Sequence, residues 1–256
     1  MNSSEIPNES TPEGMTLFEG SNYTKQIAIG MILAAIYAVS VMIPLSGFIA
    51  ATGVTSSISL TICIAPLFGV LLGPSRGFVF GLIAGVLATF VSAAFGALYL
   101  IVPTIILGPA IAGLLGGLCL TRTTTIKNIR IPGPTLTAIY FVIVILLYMI
   151  PNASAWWFVT PYMLAAGVAI ILQFKEVDVK TKSHGALRYL FIILLAIIGT
   201  FGDFSMMTLG AVYILAVPAD VFGFIIFPIM LVERIAAVAI SAIIMSIVLA
   251  TFSDQL

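Results

Sequence analysis

The sequence predicts an all-α fold, a polytopic membrane helix bundle of about eight transmembrane helices with both termini cytoplasmic. Three observations carry this. The chain of 256 residues is 61% hydrophobic and only 8% charged, where a soluble domain carries about 25% charged residues. Its apolar residues gather in runs long enough to cross a hydrocarbon core of about 30 Å. Its lysines and arginines fall on one side when those runs are threaded back and forth.

Residues 1–22 are polar, with Glu5, Glu9, Glu13 and Glu19 and two prolines. They lack the basic start and apolar run of a signal peptide and are too polar to build a core. They read as a disordered cytoplasmic tail ahead of a single transmembrane domain, 23–256. The first helix runs from about 25 to 43 and stops near Pro44. Residues 45–57 carry no charge and are rich in Ser, Thr, Gly and Ala. They form either a lid-like loop, as long connections often do, or a short helical extension and a turn.

Residues 58–95 are the centre of the chain. Two apolar runs flank the break Gly73-Pro74-Ser75-Arg76-Gly77, and Arg76 is the only charge among them. The pattern predicts a hairpin, helices two and three, with a cytoplasmic tip. Gly69, Gly73, Gly77, Gly81 and Gly85 recur every four residues, a smooth stripe against which another backbone can pack closely. The other helices are expected to gather around this hairpin.

Helix four covers 99–120 and contains Pro103 and Pro109, which membrane helices tolerate when neighbours satisfy the freed carbonyls. A basic loop follows, 121–133, with Arg122, Lys127 and Arg130. Helix five is 134–150, and the turn 151–154 leads through Trp156-Trp157 into helix six, ending near Phe174. A charged loop, 175–185, precedes helix seven, from 186 to about Gly202. Residues 203–220 are either a short span or a half-buried outer segment. Helix eight is 221–251.

With the N-terminus inside and 203–220 not crossing, the inner loops hold Lys25, Arg76, Arg122, Lys127, Arg130, Lys175, Lys180, Lys182 and Arg188. No Lys or Arg falls in an outer loop, the expected excess of positive charge inside. If 203–220 crosses, there are nine helices and the C-terminus lies outside. Trp156-Trp157, at an outer helix start, suit an interfacial anchor.

Zero net charge argues against nucleic acid as a partner. Cys63 and Cys119 sit in apolar runs and read as packing residues. His184, the single histidine, sits in a charged loop, and no metal-ligand cluster is visible. No zincin, nucleophile-elbow or phosphate-loop motif occurs, so no catalytic residue, cofactor or enzymatic activity is expected. Two charges do stand out, Glu233 and Arg234, near the middle of helix eight. Ionisable residues inside a membrane are costly and face the protein interior. Neighbours on a helix point about 100° apart, so each is expected to have its own partner, either as a tether between helices or as a contact to substrate or a second subunit.

Asp203 and Asp220 either mark the water boundary or face a site opening outward. Tyr99, Trp156, Trp157 and Tyr213 lie at comparable depth, as belt anchors or ligand contacts. Asn152-Ala153-Ser154 matches the short glycosylation sequon. In helix one, Ala34 and Ala38 form a small-xxx-small pair that permits close helix contact.

The run IAPLFGVLLGPSRGFVFGLIAGVLATF, with Pro66 and Gly73-Pro74-xx-Gly77-xxx-Gly81, after an Ala34-xxx-Ala38 helix and a long loop, resembles the substrate-binding S component of energy-coupling factor (ECF) transporters. PTIILGPAIAGLLGGLCLTR looks like that family's fourth helix, and PADVFGFIIFPIMLVERIAAVAI resembles its last. The resemblance covers roughly 28–122 and 186–250 and rests on Gly and Ala patterns. It implies a multi-pass cell-membrane protein that takes a vitamin or similar micronutrient from outside. It also implies docking through Ala34 and Ala38 onto a transmembrane T component driven by cytosolic ATPase subunits. The family has six helices, so the hairpin 134–174 is an addition.

The expected function is therefore the substrate-binding subunit of an ECF-type uptake transporter, embedded in the lipid bilayer and binding a small molecule. The alternative is a self-sufficient channel or secondary transporter, which internal symmetry between halves would favour and which the sequence does not display. The pocket is expected under 45–57, between helices one, four, seven and eight. Ser46, Thr52, Thr55 and Ser56 would cover it, with Tyr99, Tyr213, Glu233 and Arg234 as further contacts and Asp203 or Asp220 as the charged one.

Overall fold

Proline at position 74 disfavours the helical region for its predecessor. Gly73 adopts φ 76° and ψ −178°, a conformation open in practice only to glycine. The computed structural model describes residues 23–44, 59–95, 102–121, 124–126, 129–174 and 186–252. In it, Gly73 divides helix α2 (Thr61–Ala94) into two arms that double back. A Cβ on Gly77 would lie 3.1 Å from Cα of Gly69 and 2.9 Å from the Phe68 carbonyl oxygen. On a straight helix those residues would be about 12 Å away, so the expected hairpin is present.

Helix α1 (Tyr23–Ser40) packs on α2. The chain between them is pinned at its base: Pro44 pairs with Ser59, and the Leu60 N–H donates to the Ile43 carbonyl at 2.9 Å. Helix α3 (Val102–Leu120) lies along the hairpin. There the glycine stripe meets backbone. A Cβ on Gly81 would strike Pro109 and Ala110, and one on Gly85 would strike Ile106. Pro103 falls in the first turn of α3, where its missing N–H costs nothing, and Pro109 is the interior proline.

A second hairpin follows. Helix α4 (Gly133–Asn152) ends in a 3₁₀ turn (Ala153–Val159) bent at Ala155, and helix α5 (Thr160–Gln173) returns. Thr135 Oγ1 donates to Gln173 Oε1 at 2.7 Å, and the rings of Phe141 and Tyr162 stack 6.3 Å apart. Helix α6 (Ala186–Tyr213) packs on α3, α2, α4 and α5, and on α7 (Phe227–Phe252), which a π-helical turn (Val221–Ile226) introduces. The hairpin α2 is thus flanked by α1, α3, α6 and α7, whereas α4 and α5 lean on α3 and α6.

Five helical runs are long and apolar enough to cross a membrane: Thr61–Ala94, Pro103–Leu120, Gly133–Gln173, Ala186–Tyr213 and Val221–Thr251. Thr24–Ser40 is apolar but shorter. Large apolar side chains such as Ile36, Phe90, Leu146, Ile171 and Ile243 are exposed, as suits a lipid-facing surface. The chain is a helical membrane protein.

Three sequence expectations change. The basic loop 121–133 holds a small antiparallel pair, β1 (Thr124–Ile126) and β2 (Ile129–Ile131), with Thr124 opposite Ile131. β-Branched residues flank a two-residue link there, a hairpin pattern. Helix seven does not stop at Gly202 but continues to Tyr213. Gly202 is not a helix end; it lies under Leu115 and Ala112 of α3. Residues 203–213 are accordingly the last turns of α6, and neither a separate span nor a peripheral segment. Asn152 is 4% exposed, so its sequon offers no accessible amide. The tail 1–22 and the whole of the loop 45–57 lie outside the described residues.

Candidate functional site

The inward face of α7 is set by Met230, Arg234, Ala237, Ser241, Met245 and Leu249, spaced three or four residues apart and all buried. That period follows one stripe of a helix, and it carries a cation into the bundle. Arg234 is 1% exposed. Its Cζ sits 4.1 Å from the centroid of the Phe204 ring on α6, a cation–π contact worth about 2 kcal/mol when desolvated. Nε, NH1 and NH2 of Arg234 are all buried without a hydrogen-bond partner. A guanidinium has five donors, and a buried ion left unpaired destabilises a protein by several kcal/mol. Among the described residues, nothing compensates this one through hydrogen bonds.

Asp203, the residue before Phe204, is 5% exposed. Its Oδ1 packs against Gly108 of α3, which has no side chain to obstruct it. Asp203 and Arg234 interact electrostatically, as do Arg234 and Tyr162, Glu233 and Cys63. Asp203 lies ten residues before the end of α6, about 15 Å along the helix axis, so it is well inside the membrane-spanning segment. Asp203 does not end its helix, because α6 runs on past it to Tyr213.

Polar side chains from the second hairpin complete the arrangement. Tyr162 OH and Thr208 Oγ1 are 2.6 Å apart. Ser205 Oγ donates to the Gly202 carbonyl at 2.6 Å, so Tyr140 OH, 2.6 Å from Ser205 Oγ, is the donor in that pair. Tyr162 also stacks on Phe204, centroids 6.2 Å apart. The 3₁₀ turn inserts Phe158, whose ring meets Phe204, Phe222, Phe227 and Tyr148. Trp157 Nε1 donates to the Gly223 carbonyl at 3.2 Å, joining this turn to the π-helical turn. Single π-helical turns inside α-helices occur often at functional sites.

Of the residues singled out in the sequence, the fold brings together Asp203 and Arg234. Glu233 is half-buried beside them on α7. The expectation of separate partners for the two charges gives way for Arg234, which has an aromatic ring in place of a hydrogen-bonding side chain. Tyr213 and Asp220 are elsewhere. Tyr213 is exposed and donates to the Leu147 carbonyl at 2.7 Å, and Asp220 is exposed at the start of the π-helical turn. Ser46, Thr52, Thr55, Ser56 and Tyr99 lie outside the described residues. Ala34 and Ala38 are buried, at 0% and 4% exposure. They line the inner face of α1, and the outer face presents Ile32, Ile36 and Val39.

The cluster differs in place from the expected pocket. It is built by α4, α5, α6 and α7 with Cys63 of α2 and Gly108 of α3, while α1 packs away on α2. Tyr140, Tyr162, Phe204, Ser205 and Thr208 were not singled out. A tyrosine or threonine in an apolar helix is unremarkable locally, and these residues meet across 42 to 65 positions of chain. Reading α6 past Gly202 would have exposed the polar group Asp203, Ser205 and Thr208. No protein-family model, curated protein or solved structure matches the chain.

Proposed function

We propose that the chain is the substrate-binding membrane subunit of an ECF-type uptake transporter, for a vitamin or similar micronutrient. One observation carries the binding role: the Arg234 guanidinium is buried, midway along a helix long enough to cross a membrane, with no hydrogen-bond partner. Buried charges are normally paired, and ionisable groups inside a membrane mark substrate paths. A ligand that supplies the missing acceptors explains why the charge is kept. The resemblance of 28–122 and 186–250 to S components, and the matching Gly73-Pro74 hairpin, support the transporter class.

In this reading the chain lies in the cell membrane with eight spans and both termini cytoplasmic. Each long hairpin then counts as two spans. The Thr135–Gln173 bond joins the start of α4 to the end of α5, the helix ends that adjoin the basic stretches 121–133 and 175–185 in sequence, as positive charge inside would require. The partners are a transmembrane T component and cytosolic ATPase subunits. Because Ala34 and Ala38 face inward, docking through α1 would use the outer stripe of Ile32, Ile36 and Val39.

The test is uptake and binding by the same purified chain. Small molecules released on denaturation are identified by mass spectrometry, and the identified molecule is then offered to proteoliposomes. Binding by the chain with uptake only when T component and ATPases are added supports the proposal. Uptake by the chain alone establishes the self-sufficient transporter. Absence of any bound molecule removes the binding role.

A further inference from the structure

We infer that the ligand is a small amphoteric molecule whose carboxylate engages Arg234 and whose amino group faces Asp203. This rests on the binding role proposed above and adds the chemical class of what is bound.

Arg234 presents a planar fork of donors, which a carboxylate can accept in bidentate geometry. None of its three nitrogens is engaged by protein. Arg234 therefore makes no hydrogen bond to Asp203, although their charges interact. The two groups interact without a hydrogen bond between them, which leaves the donor fork of Arg234 to a third party. Phe204 backs the guanidinium at 4.1 Å, fixing the plane of the fork and leaving its edge to the ligand.

Charge decides between candidate ligands. Arg234 and Asp203 together are neutral, so a ligand carrying net charge would unbalance the site. Among the described residues, Arg234 is the one buried cation at this site. A phosphate or dicarboxylate would bring two negative charges to a place where one cation already balances an aspartate. Burying that excess is costly. A molecule with one carboxylate and one amino group leaves the balance unchanged, supplies the acceptor that Arg234 lacks and offers Asp203 a counter-charge. An uncharged ligand would leave the fork without a charged acceptor.

Full-length protein in detergent is incubated with the low-molecular-mass fraction of a deproteinised cell extract, washed and denatured. The released molecules are weighed before and after amine acylation and carboxyl esterification. A released molecule that takes both labels is the expected result. Arg234→Lys keeps the charge and removes the fork, and Asp203→Asn removes the counter-group. Loss of a charge-assisted contact should reduce retention about 10- to 100-fold in each, with a thermal midpoint confirming that each variant is folded. A bound molecule taking one label or neither overturns this inference and leaves the binding role standing. Release of nothing overturns both. Wild-type retention by a folded Arg234→Lys overturns the assignment to Arg234, and if that variant does not fold, the labelling of the wild-type ligand and Asp203→Asn still decide.

Discussion

Adding one methyl group at Gly81 should destabilise the protein, while adding the same group at Gly167 should stabilise it. Both residues lie in helices, so each exchange to alanine gains about 1 kcal/mol from helix propensity alone. The surroundings differ. At Gly81 the new Cβ would sit 2.7 Å from the Pro109 carbonyl carbon and 2.8 Å from Cα of Ala110. Carbon atoms rest about 3.5–4.0 Å apart, so the second arm of α2 and α3 must separate by about 1 Å. The obstructing atoms are backbone and cannot rotate aside. Overpacking of this kind costs about 1–3 kcal/mol, and the same movement loosens the contacts of Gly77 and Gly85. Set against the propensity gain, Gly81→Ala should lose up to about 2 kcal/mol net. At Gly167 nothing lies within 4 Å of the new Cβ, and Gly167→Ala keeps its full gain. Cys63 and Cys119 are both free and buried, so a thiol-reactive dye reports unfolding during a heat ramp. At about 2–4 °C per kcal/mol for a chain of this size, the two variants should fall on opposite sides of wild type. A Gly81→Ala midpoint at or above wild type would refute the close-approach argument.

Gly73→Ala should lower the midpoint by several degrees, since its backbone conformation costs a non-glycine residue about 1–3 kcal/mol; an unchanged midpoint would mean the hairpin turn does not depend on Gly73. Asp203→Asn in ligand-free protein should be destabilising by about 3–5 kcal/mol, because Arg234 loses its compensating charge. The double variant Arg234→Met with Asp203→Asn should instead equal or exceed wild type, as apolar replacement of buried ions often does, while retaining no ligand; thermal midpoints and ligand release measure both. For topology, single cysteines at Ser75 and Ser154 in a background lacking Cys63 and Cys119 should react with an impermeant maleimide from opposite faces of sealed vesicles. Labelling of both from one face would overturn the eight-span arrangement.

How much of this was legible depended on how local each signal was. The Gly73-Pro74 hairpin and its glycine stripe were readable because proline restricts its own neighbour and small residues at a four-residue spacing must lie on one helix face. Arg234 was readable because a charge inside a long apolar run has few explanations. The end of helix seven was misread because glycine followed by aspartate is also how a helix meets water. Here Gly202 admits Leu115 and the Asp203 carboxylate packs on Gly108, and both neighbours belong to α3. The β1–β2 pair was missed because basic residues in a short link drew attention to topology and away from the alternating β-branched residues beside them. Tyr162 and Thr208 carry no local mark at all, and only the packing of α5 on α6 makes them neighbours.

The hairpin α4–α5 is the part of the chain that departs from the six-helix resemblance, and it is also the part that supplies Tyr140, Phe158 and Tyr162 to the polar cluster. An accessory element would have left the cluster complete without it. Here its removal would strip the aromatic neighbours from Phe204 and leave Thr208 and Ser205 without their tyrosine partners. A shared hairpin core and a divergent site are compatible, because fold and function are separable. The glycine stripe of α2 and α3 fixes how the scaffold stands. In the proposed reading, what the scaffold holds is decided by Arg234, Asp203 and the hairpin that packs on α6 beside them. The chemistry of a bound molecule must therefore be read from these side chains, since a resemblance in Gly and Ala patterns does not carry it.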